Sequence, residues 1–221
     1  LEIGDSVFGT PARITSTVYA GSNGVVDIER EVELGKSIHS KGVMLLNGYL
    51  GHKYAQNFPL TLSANIAIEQ SYGHIDGDSA SLGELVALLS ALTGIPVRQE
   101  LSVTGSINQY GEVQSIGGVN EKIEGFFKLC QHRGLTGNQG VVIPKSNQIN
   151  LMLDSKVIDE VKKGKFHIFC VENVDEAVTV MMGKDAGKLS PKGKYPKHSV
   201  NHAAVSRLKR IPDVVNGEDE D

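Results

Sequence analysis

The sequence predicts one α/β (α+β) domain with mixed β-sheets and flanking helices. Alternation of polar and β-branched residues near the N-terminus indicates strands, and an apolar stripe at helical spacing in the middle of the chain indicates an amphipathic helix. Strands then alternate with helices over the second half, as in domains whose helices cover a mixed sheet. With 221 residues, 40% of them hydrophobic and none of them Trp, the chain is long enough for one sizeable core of mainly aliphatic side chains.

The N-terminal third is predicted to contain three strands and one helix. Pro11–Ala20 and Val25–Val32 alternate polar with β-branched residues, and the two glycines of the intervening turn predict a hairpin. A helix is expected over Ser37–Tyr54, ahead of Pro59. Leu60–Glu69 has apolar residues at every second position, which predicts a third strand with one buried face.

The amphipathic helix follows the Gly73–Asp78 loop. Its apolar residues recur at helical spacing, and Gly94 and Pro96 end it. They are Leu82, Leu85, Val86, Leu88, Leu89 and Leu92. The remaining predicted elements are a strand over Val97–Ile107, a helix over Gly118–His132, a strand over Val141–Pro144, a helix over Asp154–Lys162, a strand over Phe166–Val171 and a helix over Val174–Met182.

A domain boundary is predicted after Gly183. Residues 1–183 carry the periodic apolar patterns and are expected to form the folded domain. From Lys184 onward Gly, Lys, Pro and His dominate, and the chain closes on an acidic run. We therefore interpret residues 184–221 as a flexible, solvated C-terminal tail.

Charge and composition narrow the function classes. The net charge of −4 and the pI near 6.0 argue against a nucleic-acid-binding surface, which normally carries a basic patch. Cys130 and Cys170 lie in apolar surroundings and are expected to be reduced core residues of a cytoplasmic protein. No apolar run is long enough to span a bilayer. Because the first residue is Leu1 rather than Met, the chain is expected to be a piece of a longer protein.

A serine and a lysine in glycine-rich settings form the candidate catalytic pair. Ser79 lies in the Gly-Asp-Ser-Ala-Ser motif of residues 77–81. Lys122 follows 43 residues later, at the end of the Gly-Gly-Val-Asn-Glu-Lys motif of residues 117–122. In a serine–lysine dyad a neutral amine removes the proton of the nucleophile. Ser79 would stand at the beginning of a helix, where N–H groups stabilise developing negative charge.

Each residue also has an ordinary structural interpretation. Ser79 or Asp78 could simply be the N-cap of the following helix, since both residue types are favoured there. Lys122 could be a surface lysine in the first turns of an amphipathic helix. To act as a base it must lose part of its hydration so that its pKa falls from about 10.4.

Other sequence patterns lead to weaker hypotheses. Gly35-Lys36-Ser37 lacks the glycine that a phosphate-binding loop needs five residues earlier, where Arg30 stands, so no ATP site is predicted. Gly4-Asp5-Ser6 is not followed by the Asp-x-x-His element of small lipolytic hydrolases. The pair His198 and His202 has helical spacing but no third ligand nearby in the sequence, so no metal site is predicted. As general base for Ser79, one of three histidines is the alternative to lysine: His39, His52 or His74.

Five sequence blocks resemble the proteolytic domain of the Lon family of ATP-dependent proteases. The resemblance extends from about Val7 to Gly183, with the blocks in the family's order and spacing. The blocks are residues 76–81 (Asp-Gly-Asp-Ser-Ala-Ser), 103–105 (Val-Thr-Gly), 111–113 (Gly-Glu-Val), 116–122 (Ile-Gly-Gly-Val-Asn-Glu-Lys) and 142–144 (Val-Ile-Pro). The resemblance implies a Lon-type proteolytic domain over residues 1–183.

The resemblance also implies roles for particular residues. It makes Ser79 the nucleophile, Lys122 the general base and Thr104 a threonine whose hydroxyl contacts the lysine. Asp78 and Ser81 stand where A-type Lon enzymes have proline and glycine, so this form resembles the B-type or Lon-like subgroup. In that subgroup Asp76 is expected to reach the lysine, where a carboxylate would favour the protonated form.

The resemblance further implies a setting for the activity. Lon proteases carry an upstream AAA+ ATPase module that unfolds polypeptide substrates and feeds them to a hexameric chamber. ATP and Mg²⁺ are expected only in that module, and no cofactor or metal is expected in this chain. A catalytically silent interaction domain with the same fold, and a small-ester serine hydrolase with a histidine base, are the two alternatives.

Overall fold

Ten short strands and seven helices follow one another along residues 1–216, which the computed structural model describes. The strands are β1 (Glu2–Ile3), β2 (Ser6–Val7), β3 (Arg13–Tyr19), β4 (Gly24–Asp27), β5 (Ser63–Glu69), β6 (Leu101–Val103), β7 (Ser106–Ile107), β8 (Val113–Gln114), β9 (Gly140–Pro144) and β10 (His167–Val171). The helices are α1 (Ile28–Glu31), α2 (Ser37–Tyr54), α3 (Ser81–Thr93), α4 (Val119–Arg133), α5 (Ser155–Lys162), α6 (Val174–Met182) and α7 (Val200–Asn216). A 3-10 helix over Lys145–Asn150 follows β9. The predicted α/β class with mixed sheets is confirmed.

The first three-stranded sheet has the order β3-β5-β4. β3 runs antiparallel to β5 and β4 runs parallel to it, with Val18 and Val25 on opposite sides of Ala64. The predicted hairpin between β3 and β4 is therefore wrong, because β5 lies between the two strands. The second strand is also shorter than predicted, since the Asp27 side chain accepts a hydrogen bond from Glu29 N and begins α1 there.

The second three-stranded sheet is parallel throughout, with the order β10-β9-β6. The strand predicted over Val97–Ile107 is divided here into β6 and β7. Thr104 N still donates to Val142 O, but Gly105 N turns away and donates to Ser79 O at 2.9 Å. A larger residue at position 105 would displace core side chains, because a Cβ atom there would lie 2.9 Å from the end of the Leu82 side chain. β7 then pairs with β8 in a small antiparallel ribbon.

Helix α3 lies at the centre of the larger hydrophobic core. The apolar stripe predicted for it is buried as expected, and Gly94 ends the helix with a φ of 71°. The stripe packs against the first sheet and against α2, α6 and α7. A second, smaller core lies between α4 and the parallel sheet, where Ile123 and Phe127 meet Ile143 and Phe166. Ser79, in the turn before α3, and Lys122, in α4, therefore lie beside two different cores.

The prediction of a flexible tail over residues 184–221 is wrong for the segment that forms the last helix. Residues 200–216 form α7, and its buried residues recur every three or four positions along one face. They are Val200, Ala204, Leu208 and Ile211, and all four belong to the larger core. Asn201 is buried as well and accepts a hydrogen bond from Tyr54 Oη at 2.7 Å. The predicted acidic end over 217–221 lies outside the described residues.

Two further sequence expectations concern the cysteines and the membrane. Cys130 is buried and Cys170 half-buried, and both are free thiols, as expected for reduced residues in apolar surroundings. Across residues 1–216, no helix combines the length and apolarity that spanning a bilayer requires.

Candidate active site

Ser79 lies in the turn that leads into α3. Ala80 is the N-cap of this helix, so Ser79 precedes the first helical residue by two positions. Its carbonyl oxygen accepts hydrogen bonds from Gly105 N at 2.9 Å and from Thr104 Oγ1 at 3.3 Å. The turn is therefore tied to the segment between β6 and β7, and Ser79 is half-buried.

Lys122 lies in the first turn of α4, and its side chain reaches Ser79. Lys122 Nζ is 2.9 Å from Ser79 Oγ and 3.3 Å from Thr104 Oγ1. Gly118 is the N-cap of α4, and its φ of 67° suits glycine. The structure thus brings together Ser79, Lys122 and Thr104, three residues that lie far apart in the sequence.

Burial lowers the pKa of the Lys122 ammonium below its ordinary range, and the negative charge of Asp78 acts in the opposite direction. Removing a cation from water disfavours the charged form, whereas a nearby carboxylate favours it. The lysine beside Ser79 is therefore shifted toward the neutral form that a general base requires.

The two acidic candidates have different positions. Asp78 is half-buried, and its Oδ2 accepts a hydrogen bond from Ser106 Oγ at 2.8 Å. Asp76 is exposed and forms an ion pair with Lys36, with 3.4 Å between Oδ2 and Nζ. The expectation that Asp76 reaches Lys122 is therefore not met. The carboxylate whose charge acts on Lys122 is that of Asp78. Asp78 is held by Ser106, a residue that the sequence analysis did not identify.

The main chain around Ser79 offers free N–H donors. Ser81 N donates to Asp78 O at 3.0 Å and Leu82 N to Gly105 O at 3.1 Å, so these donors of the helix N-terminus are engaged. Within the described residues, the N–H groups of Ser79 and Ala80 have no hydrogen-bond partner. Two adjacent backbone donors at a half-buried serine are suited to stabilise negative charge on a substrate oxygen.

Two glycines bring the N-terminal segment into close contact with α4. Gly9 N donates to Glu121 O at 3.1 Å. A Cβ atom on Gly9 would lie 2.7 Å from Lys122 Cα, and one on Gly125 would overlap the carbonyl oxygen of Gly9. The helix that carries Lys122 is therefore covered by backbone that only glycine permits. The sequence showed these glycines but not what lies against them.

The histidines proposed as alternative bases lie elsewhere. His39 is 1% exposed and faces Asp27 and Glu84 in the interior. His52 packs edge-on against the Tyr110 ring, and His74 is exposed. None of the three forms a hydrogen bond with Ser79 in the described part of the chain. Lysine is thus the basic side chain in contact with the serine.

Comparison with known proteins identifies relatives of this chain. The profile of the Lon protease (S16) C-terminal proteolytic domain matches residues 53–184. A Lon protease homolog of Escherichia coli strain K12 is 46% identical over 175 residues, which are 79% of this chain and 30% of that protein. A homolog of the same description from Haemophilus influenzae is 47% identical over 178 residues, 80% of this chain and 30% of that protein. An archaeal Lon protease of Pyrococcus abyssi is 38% identical over 113 residues, 51% of this chain and 10% of that protein. The chain spans less than a third of the length of each of these relatives.

Proposed function

Because this chain belongs to the Lon protease (S16) family through its C-terminal proteolytic domain, we propose that it cleaves peptide bonds with a serine–lysine dyad formed by Ser79 and Lys122. The observation that carries the proposal is the 2.9 Å distance between Ser79 Oγ and Lys122 Nζ. It is supported by the burial that lowers the pKa of Lys122 and by the family's identity as proteases. The substrate class we propose is unfolded polypeptide.

In the proposed reaction Lys122 acts first as a base. Neutral Nζ accepts the hydroxyl proton of Ser79 while Oγ attacks the carbonyl carbon of the scissile peptide bond. The oxyanion that forms is stabilised by the N–H groups of Ser79 and Ala80. The Lys122 ammonium then donates its proton to the leaving amine, which leaves an acyl group on Ser79. A water molecule, deprotonated by the regenerated Lys122 amine, hydrolyses this ester and restores the serine.

Thr104 has a positioning role in this proposal. Its hydroxyl is 3.3 Å from Lys122 Nζ and 3.3 Å from the carbonyl oxygen of Ser79, to which it donates. It therefore links the lysine to the backbone of the nucleophile. A lysine held in this position spends more time in the reactive geometry. Such positioning of reacting groups contributes strongly to enzymatic rate acceleration.

The rate of peptide cleavage should rise with pH as Lys122 loses its proton. Burial lowers the pKa of this lysine, so the midpoint should lie below the ordinary lysine value of about 10.4. Asp78→Asn removes the charge that favours the ammonium, and the profile should therefore shift to lower pH. The measurement is the pH dependence of kcat/KM on an unstructured fluorogenic peptide.

Asp76→Asn is the matched control for this experiment. Because Asp76 is paired with Lys36, this substitution should leave the midpoint unchanged. An equal shift in both variants would contradict the assigned influence of Asp78. No cleavage and no labelling by a serine-reactive probe at any pH would instead favour the silent interaction domain. A profile that rises near the ordinary histidine pKa and is abolished by His74→Ala would favour the ester hydrolase.

We also propose that the whole protein couples this domain to an AAA+ ATPase module and assembles as a hexameric ring, with ATP and Mg²⁺ bound in that module. The support is the family and the greater length of the relatives. Ile149 and Met152 are 91% and 86% exposed, which leaves apolar surface for contacts between copies.

This chain should self-associate weakly with rising concentration in sedimentation equilibrium. A strict monomer at high concentration would contradict the prediction.

A further inference from the structure

Four ionisable side chains lie together in the protein interior, outside the proposed dyad. Asp27 and Glu29 are each 4% exposed, and His39 and Glu84 are each 1% exposed. They come from the end of β4, from α1, from α2 and from the first turn of α3. Glu84 follows Ser79 by five residues. The buried cluster therefore includes a residue from the first turn of the helix that the candidate nucleophile precedes.

Several atoms of this buried cluster have no hydrogen-bond partner within the described protein. They are Asp27 Oδ2, Glu29 Oε2, His39 Nε2 and both carboxylate oxygens of Glu84. Burying an unpaired carboxylate is costly, and three of them with one imidazole cannot all be compensated by that imidazole. With all three carboxylates ionised, the cluster is therefore short of positive charge.

The carboxylates of Asp27 and Glu29 are oriented by the backbone. Asp27 Oδ1 accepts a hydrogen bond from Glu29 N at 3.1 Å, and Glu29 Oε1 accepts one from Ile68 N at 2.7 Å. Each carboxylate thus uses one oxygen to fix its position and presents the other, unpartnered, to the cluster. Ligand atoms of Asp27, Glu29 and His39 all lie within 4.8 Å of one another.

The imidazole is oriented in the way that metal-binding histidines are. His39 Nε2 lies 3.5 Å from Asp27 Oδ2, and Nδ1 lies 3.7 Å from Glu84 Oε1. In metal sites a ligating histidine directs one nitrogen to the ion and its other N–H to a carboxylate, which fixes the tautomer. Glu84 lies on the Nδ1 side of His39, where that outer carboxylate would stand, but 3.7 Å is longer than a hydrogen bond.

We propose that Asp27 Oδ2, Glu29 Oε2 and His39 Nε2 bind one divalent transition-metal ion, with Glu84 orienting the imidazole. Imidazole suits transition metals, whereas Ca²⁺ and Mg²⁺ prefer all-oxygen ligands, so Zn²⁺ and Mn²⁺ are the appropriate probes. A dication balances the two ligating carboxylates. Because the ligands come from β4, α1 and α2, the ion joins these elements beneath α3 and acts structurally. The sequence did not indicate this site because its ligands do not share one local spacing.

The test uses the 221-residue chain after treatment with a chelator and dialysis. Titration with Zn²⁺ or Mn²⁺ should give one ion per chain by calorimetry and elemental analysis. The apparent melting temperature should rise by roughly 5–10 °C when the free ion is at about 100 times its Kd. Absence of stoichiometric binding by both ions, with the cluster compensated by protons instead, would overturn the proposal.

Glu29→Gln is the decisive variant, because glutamine keeps the oxygen that accepts from Ile68 N but loses the anionic ligand. It should weaken binding by at least about tenfold and remove most of the metal-dependent rise in melting temperature. Glu31→Gln changes an exposed glutamate of the same helix and should leave binding intact. Equal losses in the two variants would overturn the assignment.

Two further variants separate folding effects and competing sites. Asp27→Asn, which retains an oxygen for the Glu29 N–H, replaces Glu29→Gln if that variant does not give a native circular dichroism spectrum. His202→Asn tests the pair of His198 and His202, of which only His202 lies in α7. Binding that survives Glu29→Gln but disappears in His202→Asn would assign the ion to α7 and overturn the proposal.

Discussion

Replacement of Ser79 or Lys122 by alanine is expected to abolish peptide cleavage. Without Oγ there is no nucleophile, and without Nζ the hydroxyl loses the base that lies 2.9 Å away. General-base catalysis alone contributes roughly 10²–10⁴-fold, so Lys122→Ala should lose at least this factor in kcat. Ser79→Ala should fall to the level of the uncatalysed reaction. The measurement is turnover of an unstructured fluorogenic peptide, with folding checked by circular dichroism.

The double variant tests whether the two residues act as a unit. Ser79→Ala combined with Lys122→Ala should lose little more than either single change, because a base has no function without its nucleophile. Lys128→Ala, which changes an exposed lysine on the same helix, is the matched control and should keep full activity. Cleavage that persists in Lys122→Ala would reject lysine as the base.

Gly125→Ala should impair both stability and catalysis. A Cβ atom at this position would overlap the carbonyl oxygen of Gly9 and lie 2.8 Å from Gly9 Cα. Because both partners are backbone, either the N-terminal segment or α4 must move, at a cost of about 1–3 kcal/mol in the free energy of unfolding. Lys122 lies one helical turn earlier, and a displacement of about 1 Å there can reduce kcat by about 10²-fold. Denaturant unfolding and peptide turnover measure the two effects.

Gly51→Ala is the control for this substitution. Gly51 is also helical and lies in α2, where an added Cβ atom would meet nothing from a neighbouring element within 4 Å. Alanine there should stabilise the protein by about 0.5–1 kcal/mol, since glycine weakens helix interiors. If Gly125→Ala were as stable and active as Gly51→Ala, the close contact between Gly9 and α4 would have no role in holding Lys122.

Local patterns in the sequence were sufficient to predict most elements but not the pairing of strands. The stripe from Leu82 to Leu92 and the end at Gly94 are local properties, and the structure has them as predicted. The order β3-β5-β4 depends on a strand about 40 residues away along the chain. A turn with two glycines is compatible with a hairpin, yet the competing partner β5 determines the outcome.

The C-terminal helix was missed although its signal is present. Val200, Ala204, Leu208 and Ile211 recur at helical spacing, but they are sparse among polar residues and follow a long segment rich in Gly and Lys. Composition dominated the interpretation of that region. Contacts with both α3 and α2 explain why so weak a stripe folds against the core.

The residues of the candidate site that lie in sequence motifs were predicted. Those that act only through contacts in the folded chain were missed. Ser79, Lys122 and Thr104 come together in space as the resemblance implied. Asp76 was expected to reach the lysine, but the carboxylate whose charge acts on Lys122 is Asp78, two residues later. The hydrogen bond from Ser106, 28 residues later, orients Asp78 and not Asp76 toward this region.

Helix α7 has a consequence for the order in which the protein becomes active during synthesis. It packs on α3, the helix that begins beside Ser79, and it leaves the ribosome after the other described helices. At about 5–20 residues per second, roughly 7 to 26 seconds separate the emergence of Ser79 from that of Ile211. During this interval the nucleophile's helix lacks one of its supporting surfaces. The turn that carries Ser79 would thus gain its full support only once α7 has been made.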